Sequence, residues 1–378
     1  MANVNGTSGK DFIHRVGDGR VPPAGYLDIV GATTGADTIS GFGGNDILFG
    51  DNGDDLLRGG GGRDQLHGGG GNDRLIGGPG NDLMNGGNGV DRITYQDAGP
   101  ITVTFTGSSS GTVLDGYGHT DSFTAVELVF GSGKNDIFKG SVGSSNTFIG
   151  LQGNDTFVGN GGDNGNPDVV DYSYDVLFGA THGVVVNLSG NQQQGGLAPD
   201  TAVDSFGFTD SITGVQNVRG TKFADKICGR GHSNKLEGLA GNDYIFGGGG
   251  DDKIFGGFGN DKLKGGTGND RLSGSNGTDW FIYAATNNGA DIITDFSGKT
   301  AFGGGAGNGD KFAFDFAEHG TFQYRGGSTF LANGNTQARV ASGKVIVDTD
   351  GNGAGNFSIT VNGLTSANQL VAADFQFV

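Results

Sequence analysis

The chain has 378 residues, of which 81 are glycine and 17% are charged, with a formal net charge of −18. So acidic a balance argues against a nucleic-acid partner, and a single cysteine, Cys228, excludes an intrachain disulfide framework. No stretch approaches the roughly eighteen consecutive apolar residues of a membrane-spanning helix, so a span is not expected.

Residues 1–30 show no basic region followed by an apolar run, so no cleavable secretory signal is visible. They contain one incomplete repeat, Gly6-Thr7-Ser8-Gly9-Lys10-Asp11-Phe12-Ile13, and a Pro22-Pro23 segment, and read as an N-terminal cap. From 31 to 94 a nine-residue phrase recurs in fixed register. Gly59-Gly60-Gly61-Gly62-Arg63-Asp64-Gln65-Leu66-His67 runs into Gly68-Gly69-Gly70-Gly71-Asn72-Asp73-Arg74-Leu75-Ile76, then into a phrase that opens with Gly77. The aspartates are Asp37, Asp46, Asp55, Asp64, Asp73, Asp82 and Asp91. Two residues after each stands an apolar side chain: Ile39, Leu48, Leu57, Leu66, Leu75, Met84 and Ile93.

Residues 95–130 break the repeat with strand-like alternation, Ile101-Thr102-Val103-Thr104-Phe105, and the phrase Asp121-Ser122-Phe123. The repeat resumes over 131–171, with Asp136, Asn146 and Asp155 in the acidic position. It breaks again over 172–219, where Val184-Val185-Val186 and Asp210-Ser211-Ile212 repeat the design of the first insert. A third block, 220–283, carries Asp225, Asn234, Asp243, Asp252, Asp261, Asp270 and Asp279. Its apolar series is Ile227, Leu236, Ile245, Ile254, Leu263, Leu272 and Phe281, and its turns include Gly247, Gly249, Gly256 and Gly265. Residues 284–378 return to apolar alternation and read as a β-rich C-terminal cap.

Six glycine-rich residues can turn with positive φ and direct carbonyls into one space. The three that follow alternate like a very short strand with one inward side chain, which cannot fold alone and must stack on copies of itself. Two strands and two turns make a coil of about eighteen residues, so each Asp lies beside the Asp two repeats later. Stacked carboxylates ~4.8 Å apart repel unless a cation lies between them. Hard carboxylate and carbonyl oxygens in a flexible glycine turn suit calcium.

These residues resemble the RTX, or haemolysin-type, calcium-binding nonapeptide Gly-Gly-x-Gly-x-Asp-x-apolar-x. The resemblance implies an all-β fold: right-handed parallel β-rolls joined by β-strand inserts, with calcium held between successive turns. Carried onto this chain, the ligands would be Asp37, Asp46, Asp55, Asp64, Asp73, Asp82, Asp91, Asp136, Asp155, Asp225, Asp243, Asp252, Asp261, Asp270 and Asp279. The turn glycines Gly59, Gly61, Gly68, Gly70, Gly77, Gly247, Gly249, Gly256 and Gly265 would join them. Pairs such as Asp46 with Asp64, Asp55 with Asp73 and Asp252 with Asp270 would flank an ion, giving on the order of ten ions per chain. The end of the chain, Ala372-Ala373-Asp374-Phe375-Gln376-Phe377-Val378, resembles the uncleaved export signal of type I secretion substrates of the serralysin-like group. That implies a partner in the type I secretion apparatus and an extracellular or cell-surface location.

Chemistry beyond calcium is sparse. No His-Glu-x-x-His occurs, so the zinc-protease signature is absent, and His14, His67, His119, His182, His232 and His319 are isolated and read as surface residues. Gly107-Ser108-Ser109-Ser110-Gly111 matches Gly-x-Ser-x-Gly, but strand and turn follow where a nucleophile elbow opens a helix. Asp348-Thr349-Asp350-Gly351-Asn352-Gly353 looks like half an EF-hand loop, but twelfth in that loop is Ile359 rather than Glu, so a polar hairpin turn is expected. Cys228 reads as a structural thiol. The expected function is therefore a secreted, non-enzymatic calcium-binding component of a cell surface or matrix, able to associate with itself. The alternative is a polysaccharide-binding module for alginate or another exopolysaccharide, since similar rolls accompany alginate epimerases and secreted glycanases. Lys253, Lys262, Lys264 and Arg271 form a modest cationic strip along one roll for such a polymer.

Overall fold

The computed structural model describes residues 2–377 apart from 16–17, 97, 161–165, 191–196, 285–287, 298–308, 316–322, 330, 332–335, 350–354, 356, 363, 365–368 and 372–373. His319 and most of the EF-hand-like phrase lie outside the described residues, as does much of the C-terminal export phrase. The described residues are mostly β-strand and turn, with a short 3-10 helix at Asp175–Phe178. The chain divides into two compact units, Met1–Asp171 with Phe208–Val215, and Tyr172–Gly207 with Gln216–Val378.

In the first unit one parallel sheet runs Asn3–Asn5, Thr38–Gly43, Leu56–Gly61, Arg74–Ile76, Arg92–Thr94 and Leu128–Phe130. A second stacks Asp11–Arg15, Ile47–Asn52, Gln65–Gly70, Leu83–Asn88 and Thr120–Thr124 in parallel. Successive strands of the repeat pair at an offset of eighteen residues, as in Ile39 with Leu57 and Leu48 with Leu66. Consecutive repeats therefore alternate between two sheets, which is the coil the register predicts. Between the sheets stand Ile39, Leu48, Leu57, Leu66, Leu75, Met84 and Ile93, all wholly buried. One apolar side chain per nonapeptide makes a one-residue-wide core. Burying each contributes ~1.5–3 kcal/mol, and only the stack makes that burial possible.

The first insert is an antiparallel meander, Thr102–Gly107, Ser110–Leu114 and Thr120–Thr124, spliced into the second sheet. Its far strand then pairs in parallel with Ile137–Lys139, which leads to Thr156–Val158 and Thr209–Thr213. The Gly107–Gly111 serine phrase is the hairpin bend of this meander, with no helix after it. The span 172–219 divides differently: Val185–Asn187 and Thr201–Val203 pair antiparallel in the second unit, while Phe208–Val215 belongs to the first.

The second unit repeats the plan. Lys226–Cys228, Tyr244–Gly249, Lys262–Thr267, Trp280–Tyr283, Lys311–Phe314 and Phe375–Phe377 form one parallel series. Asn217–Arg219, Lys235–Ala240, Lys253–Phe258, Arg271–Asn276, Ile292–Ile293 and Phe357–Val361 form the other. Phe281, Phe296, Phe312 and Phe375 continue the interior beyond the glycine repeats with neighbouring ring centroids 4.4–5.8 Å apart, so aromatic rings replace Leu and Ile where the turns lose their glycines. Lys344–Asp348 and Phe357–Val361 pair antiparallel on either side of the EF-hand-like phrase, the hairpin its flanks predict.

Candidate metal centre

Each repeat aspartate sits at the end of its turn, buried, with its two carboxylate oxygens in different roles. Oδ1 accepts the backbone N–H of the aspartate one coil earlier: Asp46 donates to Asp64 at 2.7 Å, Asp55 to Asp73 at 2.8 Å and Asp252 to Asp270 at 2.9 Å. The same bond links Asp37 to Asp55, Asp64 to Asp82, Asp73 to Asp91, Asp225 to Asp243, Asp243 to Asp261 and Asp261 to Asp279. The expected neighbours thus lie one above another, joined by a bond the sequence does not announce.

Oδ2 is different. In Asp46, Asp55, Asp64, Asp73, Asp82, Asp91, Asp243, Asp252, Asp261, Asp270 and Asp279 it is buried with no hydrogen-bond partner. A buried anionic oxygen without a partner costs several kcal/mol. What faces it is more oxygen. A methyl group built on Gly59 would fall against Asp64 Oδ2 and 2.7 Å from the Gly77 carbonyl oxygen of the next coil. Gly68, Gly77, Gly247, Gly256 and Gly265 occupy the same place beside Asp73, Asp82, Asp252, Asp261 and Asp270. The first glycine of the turn is therefore required because the space a Cβ would fill is where Oδ2 points. Gly61, Gly70 and Gly249, two residues further on, show no such contact at the Cβ position: nothing lies within 4 Å of a Cβ on Gly61, and its counterparts meet Asn52 and Thr267 side chains.

Burial drives these carboxyls up. Asp46 and Asp55 are pushed to about 7, Asp64, Asp73, Asp261, Asp270 and Asp279 to about 6, and Asp82, Asp243 and Asp252 to about 8, in most cases with neighbouring carboxylates adding to the effect. Asp91 is raised for the same reasons. Among the described residues no group of three or more His, Cys, Asp or Glu side chains is placed to hold a metal. The donor set here is instead a single carboxylate oxygen beside main-chain carbonyls, all hard oxygen, which fits calcium and not a thiolate- or imidazole-seeking ion.

Asp37, Asp136 and Asp225, read as equivalent ligands, are not equivalent in the structure. Their Oδ2 atoms accept backbone N–H bonds of 2.6 Å from Thr33, Ser132 and Thr221. Hydrogen bonds outweigh burial at Asp37, which lies below its ordinary value, whereas burial still pushes Asp136 and Asp225 to about 6. Asp155 lies in the series, its Oδ1 accepting from Asp136 N–H at 2.8 Å. Outside the expected ligand set, Asp121, Asp210, Asp291 and Asp310 accept from the N–H groups of Asp82, Asp155, Asp270 and Asp279 and so prolong the stacks. Each keeps Asp-x-apolar, as in Asp121-Ser122-Phe123, Asp291-Ile292-Ile293 and Asp310-Lys311-Phe312, without the glycines.

Other expectations change. His14 is buried, with Nδ1 2.9 Å from Asp18, and His67 stacks on Phe49, so neither is a plain surface residue. Cys228 is buried and its thiol is held above its ordinary value by burial, in keeping with a structural role. The cationic strip splits: Lys253 and Arg271 are paired neighbours on one sheet, whereas Lys262 and Lys264 lie on a strand of the other.

A family model described as the RTX calcium-binding nonapeptide repeat matches residues 28–57, 58–93, 142–164, 229–263 and 259–293. These stretches of the chain carry RTX calcium-binding nonapeptide repeats. RTX repeats bind calcium, and the buried oxygen cradles lie in the turns of these matched repeats. No curated protein matches the chain. Among solved structures, the extracellular lipase LipA from Serratia marcescens is similar at 15% identity and a TM-score of 0.26, covering 92% of this chain. This chain spans 39% of that lipase's length.

Proposed function

We propose that this chain is a secreted, non-enzymatic protein whose rolls fold on meeting extracellular calcium and then serve as a structural component of a cell surface or matrix. The observation that carries this reading is the set of eleven buried, unpartnered Oδ2 atoms, six in the first unit and five in the second. Asp46, Asp55, Asp64, Asp73, Asp82, Asp91, Asp243, Asp252, Asp261, Asp270 and Asp279 would hold calcium together with carbonyls such as those of Gly59 and Gly77. One ion for each gives a load on the order of ten. Bound calcium supplies the positive charge that lets these carboxylates stay ionised inside the fold, so binding free energy becomes folding free energy. Low cytosolic calcium would keep the chain unfolded for passage through a type I secretion apparatus. Among the described residues no helix is long and apolar enough to cross a membrane. Sedimentation velocity across a calcium titration tests the structural role: growth into polymers once folded is the expected result, and a folded species that stays monomeric at all concentrations removes it.

The outward residues of the third roll favour a second reading, a module that binds an acidic polysaccharide. On one sheet Lys226, Tyr244, Lys262, Trp280 and Lys311 form a single cross-strand row. Lys262 Nζ and Lys311 Nζ lie 5.4 and 5.3 Å from the Trp280 ring centroid. On the other sheet Lys235, Lys253 and Arg271 stack directly. Like charges on adjacent strands repel, and a uronate-bearing polymer would relieve that repulsion while sugar faces pack on Trp280. Retention by alginate but not by neutral dextran in the presence of calcium is the expected result; equal behaviour on both dismisses the reading.

A further inference from the structure

Thr7, Thr33, Ser132 and Thr221 each stand second in a turn whose aspartate has no free oxygen. Thr33 donates its N–H to Asp37 Oδ2 at 2.6 Å and its hydroxyl to the same carboxylate at 2.9–3.0 Å. Thr7 does this to Asp11, Ser132 to Asp136 and Thr221 to Asp225. In the glycine turns the second residue is left-handed instead, with φ of 105° at Gly60 and 115° at Gly69, and Oδ2 is left alone. None of the four hydroxyl residues has a positive φ. Backbone conformation makes the difference: a left-handed second residue turns its N–H away from the carboxylate, and a β-branched threonine strongly resists that conformation.

Residue type alone does not decide. Phe42, Asp51, Leu239 and Ser275 stand second with φ of 68–75°, and the carboxylates of their turns, Asp46, Asp55, Asp243 and Asp279, remain unpartnered. One further observation separates the classes. Where the second residue donates its N–H, the acidic position tolerates a neutral amide: Ser141 N–H reaches Asn146 Oδ1 and Arg230 N–H reaches Asn234 Oδ1, both at 2.8 Å. No turn of the open class has asparagine there. Of the four capped turns only the one before Asp37 begins with a buried alanine, Ala32; Gly6, Gly131 and Gly220 open the other three, as glycine does in the open class.

The position of these turns is consistent. In the first unit one stack of aspartates runs Asp11, Asp46, Asp64, Asp82, another runs Asp37, Asp55, Asp73, Asp91, and a later one runs Asp136, Asp155, Asp210. In the second unit the stacks open at Asp225 and Asn234. Every one of these stacks begins with a turn whose acidic or amide side chain is already satisfied.

We propose that these turns are calcium-free caps. The N–H and hydroxyl of Thr7, Thr33, Ser132 and Thr221 do for the carboxylate what calcium does further along, so each stack has a first rung that forms without metal and orders the next. The inference rests on calcium binding at the open turns, and the experiment separates the two. Calcium stoichiometry is measured on the full chain by equilibrium dialysis and native mass spectrometry for Asp37→Asn and Asp225→Asn against Asp64→Asn and Asp252→Asn, with circular dichroism at saturating calcium to confirm folding. The expected result is an unchanged ion count for the first two and the loss of one ion for each of the others. A one-ion loss at Asp37→Asn or Asp225→Asn overturns the cap while leaving the calcium reading intact; an ion count of zero for the unaltered chain overturns both. Thr33→Val serves as a second probe, removing the hydroxyl but not the N–H. It is expected to raise hydrogen exchange in Asn3–Asn5 and Thr38–Gly43 at an unchanged ion count, and a changed count contradicts the cap.

Discussion

The roll within 31–94 and the roll within 220–283 are alike inside and unlike outside. Both stack one buried Leu, Ile, Met or Phe per nonapeptide, and both leave a buried carboxylate oxygen facing a carbonyl in turn after turn. On the outer face the first presents Gln65 and Leu83 in one row and Leu56, Arg74 and Arg92 in the other. The third presents lysines, Arg271, Tyr244 and Trp280 in the same places. The interior is set by what any such coil needs in order to close and hold calcium. The exterior is free to vary, so on the proposed polysaccharide reading recognition would fall to the outward positions and folding to the inward ones.

Removing calcium should act on both rolls alike and with the largest effect. In chelator-stripped solution at neutral pH both should lose protection in region-resolved hydrogen exchange; a roll that stays protected would show that its stack is held by something other than metal. Next in size is the interior. Leu66→Ala and Leu263→Ala should each cost ~2–5 kcal/mol of stability at saturating calcium, measured by denaturant unfolding. A much smaller cost in one roll would show that its core can collapse where the other cannot.

Acidity should distinguish folding without metal from folding with it. The open carboxyls have folded values of about 6 to 8, above the ordinary 3.8. Raised carboxyls stabilise the fold fully below the unfolded value, and that contribution is lost as pH climbs through the folded values. The calcium-free chain should therefore carry most β signal near pH 4 and lose it between pH 6 and 8, while the calcium midpoint should rise on acidification as protons compete for the same oxygens. Circular dichroism across that range checks both. The smallest effect on stability is expected outside: Lys262→Ala should change it by under ~0.5 kcal/mol while weakening retention on alginate. Unchanged retention would remove the third roll's outer row from polymer binding.

Much of this was legible in the residues. Periods of nine and eighteen place Leu66 under Leu48 and Asp64 beside Asp46, because only one apolar side chain per phrase has an interior to enter. Asp121, Asp291 and Asp310 were harder to see, since they prolong the stacks without glycine and only Asp-x-apolar survives. The satisfied state of Asp37, Asp136 and Asp225 depends on which way one peptide N–H points, a choice of φ that Asp in the right place does not reveal. Outward residues carry no period of their own, so the division of Lys253 and Lys262 between two sheets follows from counting strands rather than from proximity in sequence.

The most direct measurement of the central claim is a calcium titration of the stripped full-length chain at neutral pH, followed by circular dichroism with bound calcium counted at each step. The account predicts a cooperative gain of β signal that tracks the binding of on the order of ten ions. Full β signal before any calcium is added, or saturation without a change in structure, would contradict it.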